Sequence, residues 1–394
     1  STGSEPRRLY RTNSSLLATS MTSPTGMSAK PSPRPRYVKE HDHEGQASAR
    51  RHLRRSVVAV GSRERVLDPI KLEPVAALTV QILMDNVTDP TLLDVGPVKR
   101  ANFFNMASGP RVPAAVLTGV EAPAQLVAEH GFSALVTVTK ADREHRILFD
   151  AGVSPYGVVE NMHRLELPLG DIELIVLSHG HWDHVTGMEG IAKKLGRANV
   201  PVFIHPEFWS RRRIAFPGID PLELPSPSRS ALEGAGFEIV EERHPSFLLD
   251  GSVLITGEVD RTTEFEIGFP GHEAYHDRAW RADPLILDDQ ALVLRLRDRG
   301  LVVISGCGHA GIVNTVRYAL KLTGERRVCA IIGGFHLSGP MFEPIIDSTI
   351  DGLAALSPSL LLPAHCTGWK ATQRLAARFP DAFVQSAVGS RIQL

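Results

Sequence analysis

The stretch that decides the fold is Ser178-His179-Gly180-His181-Trp182-Asp183-His184, which follows the apolar run from 172 to 177. It places several metal-binding side chains close together where a predicted strand becomes a loop. Imidazole and carboxylate suit zinc and other borderline divalent cations. Side chains two apart on an extended backbone point the same way, so we expect His179 and His181 to share one ion. Asp183 and His184 are then available for a second. The competing interpretation, a solvated polar loop, requires this cluster to have arisen by chance.

Length and composition describe an ordinary globular chain. The 394 residues allow two domains, or one large domain with an extension. A net charge of -1 gives no broad field that would attract nucleic acid or an anionic membrane. The 3 cysteines are odd in number and widely spaced, which argues against a disulfide framework and for a reducing compartment. No apolar run approaches the roughly 20 residues that span a bilayer, and no secretory signal is evident. We therefore expect a cytoplasmic protein without a membrane partner.

The composition of the chain changes near residue 75. Residues 1–75 are rich in Ser, Thr, Pro and Arg without a sustained helix or strand period, which predicts a disordered or loosely docked extension. An organelle-targeting segment within residues 1–55 is the alternative. A nucleic-acid-binding arm is the least favoured, because basic residues such as Arg50 and Arg51 lack interleaved aromatic residues for base stacking.

From residue 76 to 394 strand and helix patterns alternate, which predicts a single large domain. Strands are predicted at 78–84, 133–139, 145–149, 172–177, 200–204, 291–296, 301–305, 328–332 and 360–362, and helices at 122–129, 187–195, 312–322 and 345–356. Residues 205–287 are rich in Pro, Gly and charge, with only short strand patterns at 237–240 and 253–255. We expect this region to be an insertion that shapes a substrate pocket.

Further phrases complete a family pattern. They are ILFDAG at 147–152, SHGHWDHVTG at 178–187, SGCGH at 305–309 and LLPAHCTG at 361–368. In this order and spacing they resemble the metallo-β-lactamase superfamily. More narrowly, DDQAL at 288–292, GCGHAGIVNT at 306–315, GGFHLSG at 333–339 and PAHCTGW at 363–369 resemble the dihydropterin ribofuranosylaminobenzene-phosphate synthase-like branch. The resemblance implies an α/β fold, a four-layer αββα sandwich of two mixed β-sheets flanked by helices, with metals where the sheet edges meet.

The same resemblance implies roles for individual residues. It puts His179, His181, Asp183 and His184 in the metal-binding motif, and His365 at the position of the last histidine ligand. Asp150 matches the aspartate that steadies the motif loop. Such a carboxylate fixes ligand rotamers and imidazole tautomers.

The middle ligand stays open at this stage. His309 ends a predicted strand and is our first choice. Many superfamily members carry a bridging aspartate at the equivalent strand end, whereas this chain has Gly306-Cys307. Cys307 as a soft ligand and His272 as a third imidazole are therefore alternatives. The number of ions, one or two, is open for the same reason. Zinc is the first choice of metal, with manganese or iron as alternatives.

Other polar residues receive weaker predictions. His336 follows a predicted strand and a Gly-Gly pair that allows close approach of a ligand, so we expect it to contact substrate. The segment 308–314, which opens a helix, either binds a substrate phosphate or carboxylate on free amides or is a simple helix cap. Structural roles are expected for the isolated histidines His205, His244 and His276.

The metal motif and the resemblance together predict a metal-dependent hydrolase. A divalent ion lowers the pKa of bound water, and metal-bound hydroxide would attack a small polar ester, lactone or phosphoester. Asp183 would orient this hydroxide and accept its proton. Iron-containing oxygen-reducing relatives typically replace the second histidine with Glu, so the retained His181 favours hydrolysis. The alternatives are the pterin-linked condensation that the branch implies, and a nucleic-acid-processing protein, which residues 205–287 do not clearly support. The expected partner is a small-molecule substrate.

Overall fold

The computed structural model describes residues 69–106, 109–140 and 143–394. The chain divides into two units, 1–44 and 45–394, and all described residues belong to the second. The extension predicted for residues 1–75 therefore lies outside the described residues except at its end. There Leu72 is buried and the Ile70 amide donates to the Leu322 carbonyl at 2.6 Å. The packed chain thus begins at or before Pro69. Among the described helices, none is both long and apolar enough to cross a membrane.

The predicted strands and helices occur in the predicted order along the chain, except for the helix expected at 122–129. The strands are β1 (Ala77–Met84), β2 (Val98–Lys99), β3 (Arg111–Pro113), β4 (Glu121–Pro123), β5 (Ser133–Lys140), β6 (Arg143–Phe149), β7 (Leu174–Val176), β8 (Pro201–Ile204), β9 (Arg212–Ile214), β10 (Leu222–Glu223), β11 (Glu238–Glu241), β12 (Ser246–Leu248), β13 (Val253–Ile255), β14 (His272–His276), β15 (Ala279–Ala282), β16 (Ala291–Leu296), β17 (Gly300–Ser305), β18 (Val328–Gly334), β19 (Leu360–Ala364) and β20 (Arg391–Gln393). The α-helices are α1 (Phe103–Met106), α2 (Gly157–Arg164), α3 (Met188–Leu195), α4 (Arg229–Gly234), α5 (Ile312–Thr323), α6 (Ile346–Leu356) and α7 (Trp369–Arg378).

Two mixed sheets form the centre of the fold. The first has the order β11-β8-β7-β6-β5-β1-β20-β2, parallel from β11 to β6 and antiparallel beyond it. The second has the order β12-β13-β16-β17-β18-β19, antiparallel up to β17 and parallel from there. Because several parallel strands end at the same edge, the loops that follow them meet there.

Apolar faces assemble these sheets into four layers. The inner core joins them, with Phe149 on the first sheet and Ile304 and Ile332 on the second fully buried. A separate apolar cluster on the outer face of the first sheet includes Val158 of α2 and Met188 of α3. Helices α5, α6 and α7 cover the outer face of the second sheet. The expected αββα sandwich of the metallo-β-lactamase type is therefore confirmed.

The helix predicted for residues 122–129 is wrong. Residues 121–123 form β4 against β3, and no helix follows. The buried Asn161 side chain accepts from the Val127 amide at 2.9 Å and donates to the Val127 carbonyl at 2.8 Å. These bonds satisfy the backbone groups that a helix would otherwise need to pair, so tertiary contacts override the local helix propensity.

The region 205–287 does not form one inserted unit. Strand β11 extends the first sheet through parallel pairing with β8, and its apolar residues are half-buried. Strands β12 and β13 extend the second sheet and contribute buried Leu248 and Leu254. The remainder contributes a small separate sheet of order β10-β9-β14-β15. Its strand β14 begins with His272, whose Nε2 lies 3.1 Å from His181 Nε2. Only this small sheet fits the prediction of an insertion beside the ligand loops.

The four-layer packing predicts a large cost for truncating a core isoleucine. Ile304→Ala, at a side chain with no exposure, is expected to lower the free energy of unfolding by about 2–5 kcal/mol because it leaves a cavity between the sheets. Ile219→Ala makes the same change at a side chain that is 68% exposed and should shift it by less than about 0.5 kcal/mol. Denaturant unfolding monitored by circular dichroism measures both. Equal losses in the two variants would contradict this packing.

Candidate metal centre

The loop after β7 is fixed by Asp150, which follows β6 with a left-handed φ of 59°. Its carboxylate accepts hydrogen bonds from the Ser178 amide, the Ser178 hydroxyl and His184 Nδ1, all at 2.7 Å. All three residues are buried. These bonds fix the His184 ring so that its other nitrogen, Nε2, is left for the cluster described below.

A first group of buried donors consists of three imidazoles, from His179, His181 and His309. His179 Nε2 lies 2.9 Å from His181 Nδ1, and His309 Nε2 lies 3.2 Å from the same His181 nitrogen. Burial, followed by the neighbouring imidazoles and other cations, lowers the pKa of all three well below its usual value. They are therefore neutral at pH 7, which is the protonation state that leaves a lone pair for a metal.

His272 lies on the other side of His181. Its Nε2 contacts His181 Nε2 at 3.1 Å, while its Nδ1 lies 3.0 Å from the Asp283 carbonyl oxygen. His181 therefore points one nitrogen at His179 and His309 and the other at His272. His309 therefore shares a donor group with His179 and His181, whereas His272 contacts His181 through its other ring nitrogen.

A second group lies beside the first and contains Asp183, His184, Cys307 and His365. Asp183 Oδ2 lies 3.3 Å from His365 Nε2 and 3.8 Å from His184 Nε2. Cys307 Sγ lies 3.2 Å from His184 Nε2. Cys307 thus joins this group and His309 the first, but the two residues also form a third group with His336, whose ligand atoms lie within 4.8 Å of one another.

The charged side chains of the second group change one another's pKa values. Burial alone would raise the pKa of Asp183, but His184 and His365 outweigh it and hold the pKa of Asp183 below its usual value. Burial likewise opposes protonation of His184, yet Asp150 and Asp183 raise its pKa to about 9. Burial raises the pKa of the Cys307 thiol well above its usual value. The anionic groups therefore create a site that favours positive charge.

Both groups fit a divalent cation by their donor chemistry. Ligand atoms that share one ion at zinc bond lengths lie roughly 3–4 Å apart, as these do. Neither ring nitrogen of His365 makes a hydrogen bond, although the residue is only 4% exposed. An unpaired buried polar atom is costly, and a coordinated cation would satisfy it.

The DDQ segment at 288–290 supports both ligand loops. Asp288 accepts from the Gly180 amide at 2.8 Å and from Arg212 Nη2 at 2.5 Å. Asp289 accepts from the Ala310 amide at 2.7 Å, next to His309, and burial raises the pKa of Asp289 to about 7. Gln290 donates to the Leu177 carbonyl at 3.0 Å. The DDQ segment therefore links, by hydrogen bonds, the loop of His179 and His181 to the loop of His309.

Gly180 is required between the two histidines of the motif. A Cβ at this position would lie 2.1 Å from the Phe208 carbonyl oxygen and 2.8 Å from Arg212 Nη1. Any side chain here would push the small sheet away from the ligand loop.

His130 is a site residue that sequence reasoning missed. Its side chain is 64% exposed, and its Nε2 lies 3.9 Å from Asp183 Oδ2. Its ring centroid is 4.6 Å from that of His365. The neighbouring Gly131 permits this close approach, since a Cβ there would lie 2.7 Å from the Asp183 carbonyl oxygen. A lone histidine in a loop does not reveal this contact.

His336 lies at the first group, against an aromatic wall. It has a left-handed φ of 45°, and its ring centroid is 4.1 Å from that of His309 and 4.3 Å from that of Phe342. Its Nδ1 is buried without a hydrogen-bond partner. Phe269 packs on both His336 and Phe342, and these three rings together form the aromatic wall.

The other predicted polar sites have structural partners. Nearby carboxylates engage the isolated histidines: Glu258 with His205, Glu242 with His244 and Glu207 with His276. The start of α5 is capped by Glu266, which accepts from the Val313 amide at 2.9 Å and the Asn314 amide at 2.8 Å. The phosphate site considered for residues 308–314 is therefore wrong, and the helix-cap interpretation is confirmed.

Comparisons with known proteins agree with this geometry. A family model described as a beta-lactamase superfamily domain matches residues 145–244. A 7,8-dihydropterin-6-methyl-4-(beta-D-ribofuranosyl)-aminobenzene-5'-phosphate synthase of Methanocaldococcus jannaschii is 29% identical over 77% of this chain and 99% of its own length. An uncharacterized protein of the same organism is 31% identical over 67% of this chain and 93% of its own.

A solved structure shares the fold. It is described as a metal-dependent hydrolase of the beta-lactamase superfamily, with 21% sequence identity and a TM-score of 0.57. The match covers 80% of this chain and 98% of that one.

Separate roles for His309 and Cys307 predict separate losses of metal. His309→Ala should lose about one metal equivalent from the first group, since it removes an imidazole. Cys307→Ser should instead weaken the second group and abolish a sulfur-to-cobalt charge-transfer band in the cobalt-loaded protein, because coordination requires the thiolate. Metal analysis and absorption spectra measure both effects.

His272→Gln is the matched control for this pair. It removes an imidazole that contacts His181 but does not belong to either donor group. The variant should retain the full metal content, with a weaker metal affinity because His181 loses a contact that orients its ring. Loss of a whole equivalent in His272→Gln, with none lost in His309→Ala, would reverse the assignment.

Proposed function

This chain belongs to the metallo-β-lactamase superfamily of enzymes, and we propose that it is a metal-dependent hydrolase of a small polar ester, lactone or phosphoester. The observation that carries this proposal is the adjacency of the two donor groups: His309 and Cys307, one from each, have ligand atoms within 4.8 Å of each other. Two neighbouring divalent ions suit hydrolytic chemistry. His179, His181 and His309 would hold one ion, and Asp183, His184, Cys307 and His365 the other. Nitrogen and sulfur donors favour zinc over manganese or iron.

When bound, the ions would supply a water of near-neutral pKa and a Lewis acid for the oxygen under attack. The proton transfers would be carried out by side chains of the protein. Asp183, held ionised by its histidine neighbours, is placed to accept a proton from that water. His130, 3.9 Å from Asp183 and open to solvent, is placed to carry the proton outward or deliver it to the leaving group.

The aromatic wall indicates where substrate would bind. His336, Phe269 and Phe342 pack against one another directly beside His309. Such a surface suits a flat ring by stacking and edge contacts. We therefore assign substrate contact to His336, and expect the substrate to carry an aromatic or otherwise planar group next to its reacting ester.

A second function is favoured by one relative and by the same wall. The archaeal protein described as a synthase joins, by its name, a pterin to a ribofuranosylaminobenzene phosphate. Both parts are planar ring systems that an aromatic wall could hold. In that case the metal centre would activate a leaving group for displacement by an amine rather than by water.

The origin of the oxygen in the product separates the two functions. For hydrolysis, turnover of an aryl phosphoester or lactone in ¹⁸O-labelled water should place solvent oxygen in the product, and His181→Ala should reduce the rate by at least about 100-fold with loss of metal. Mass spectrometry of the products measures this. Turnover that yields a joined ring product without solvent oxygen would favour the condensation instead.

The small sheet offers a further test of substrate contact. A deletion of the whole segment 210–227 would be a poor test, because it would remove Arg212, which contacts Asp288 and so supports the ligand loop. A sharper change replaces only the turn 216–221 between β9 and β10 with a Gly-Ser linker of equal length. We expect unchanged metal content and a KM altered by about threefold or more, because Phe216 of this turn lies against Gly271, directly before His272 of β14. An identical substrate profile would remove this turn from the pocket.

A further inference from the structure

A second cavity lies on the first sheet, apart from the donor groups. It has a volume of about 330 Å³ and is lined by residues of β1, β2, β20, the end of α2 and the adjoining loops. None of its lining residues belongs to either metal-binding group. Gln81, on the floor of the cavity, donates to the Ser390 carbonyl at 3.3 Å and so fixes β1 against β20. This volume is at the small end of the range of ligand sites.

Arg100 is the residue that points to a ligand. It lines the cavity and is only 5% exposed. Its Nη1 donates to the Ser390 hydroxyl at 2.6 Å, while its Nε is buried without a hydrogen-bond partner. Among the described residues, no carboxylate lies within ion-pair distance of its guanidinium. Burial lowers the pKa of Arg100 and outweighs Asp94 and Asp89, which favour its charge through space. A buried guanidinium without a direct anionic partner is costly, so an anion bound in the cavity would stabilise it.

Further cations surround the same space. Lys99, Arg164 and Arg391 also line the cavity, and Glu166 is its one acidic lining residue. Lys99 and Arg164 each reach a carboxylate, Asp94 at 3.2 Å and Glu160 at 2.9 Å. Arg391, exposed at the end of β20, forms no side-chain ion pair or hydrogen bond with another described residue. Two guanidinium groups that line the cavity therefore make no direct ion pair with a described carboxylate, although Asp94 and Asp89 act on Arg100 through space.

We propose that this cavity is a binding site for a small phosphate-bearing anion. Guanidinium groups bind phosphate oxygens through paired, charge-assisted hydrogen bonds. Arg100, directly after β2, and Arg391, the first residue of β20, offer two such groups. The limited volume suits a pyrophosphate or a compact phosphate ester rather than a long chain. The free polyphosphate and the ester share the same recognised group, and the probes below distinguish them.

The cavity is connected to the metal centre by one strand. Gln81 lies in β1, and Asp85 directly after that strand accepts from the His365 amide at 2.8 Å. Four residues of extended chain separate these positions by about 13 Å. An anion bound at Arg100 would thus be remote from the reacting atoms, yet on the strand that leads to the loop of His365.

Isothermal titration of the metal-loaded protein tests the proposal, with inorganic pyrophosphate and AMP as separate probes. At least one probe should bind saturably, and preference between them identifies free polyphosphate or ester. Arg391→Ala and Arg100→Met should each raise the Kd on the order of tenfold, since each removes a charged partner. Arg297→Ala, at an exposed arginine in the turn after β16, is the matched control and should leave the Kd unchanged.

Anions also bind metal centres, so the site must be located. Binding at the cavity should persist in His181→Ala, which impairs the metal centre. Binding that disappears in His181→Ala and is unaffected by Arg391→Ala would place the anion on the metals and overturn the proposal. So would the absence of saturable binding by either probe. Arg391→Ala, at an exposed residue, keeps the test valid even if Arg100→Met fails to fold.

Discussion

The structure depends on buried carboxylates that hold the ligand loops by their backbone amides. Asp150 accepts from the Ser178 amide and also from the His184 ring, Asp288 accepts from the Gly180 amide, and Asp289 from the Ala310 amide. Asp85 does the same for the His365 amide. Each loop that carries a candidate ligand is therefore tied to an acidic group in the protein interior. Hydrogen bonds to amides partly compensate for removing these carboxylates from water, and positive charge at the centre would complete the compensation.

This arrangement explains why the donor groups differ in character. The first group consists of imidazoles that burial keeps neutral, so it contributes lone pairs and no charge. The second holds the ionised Asp183 and the thiol of Cys307 beside His184 and His365. Cys307 thus occupies a position between the groups where the resemblance implied a bridging aspartate. A thiol can still supply an anionic ligand, but only by losing its proton when a metal binds.

The small sheet adds a second layer of support to the histidine loop. Strand β9 brings the buried Arg212 to Asp288, and β14 brings His272 to His181. Both contacts hold the histidine loop from the side opposite to the ligand nitrogens. Changes in the small sheet are therefore expected to alter the orientation of His181 and its neighbours, and with it the metal affinity of the proposed centre.

The sequence by itself determined the fold family, most strands and the residues that form the centre. Local patterns sufficed there, because short apolar runs mark the buried parts of β5 and β6 and the spacing from His179 to His184 is set by one loop. Tertiary structure alone decided which nitrogen of His181 faces His309 and which faces His272, and that Cys307 lies near both His184 and His309. It also brought His130 to Asp183, gave the start of α5 to Glu266 and left Arg100 buried without an anion. Each of these depends on contacts between segments distant in the chain, which no local period encodes.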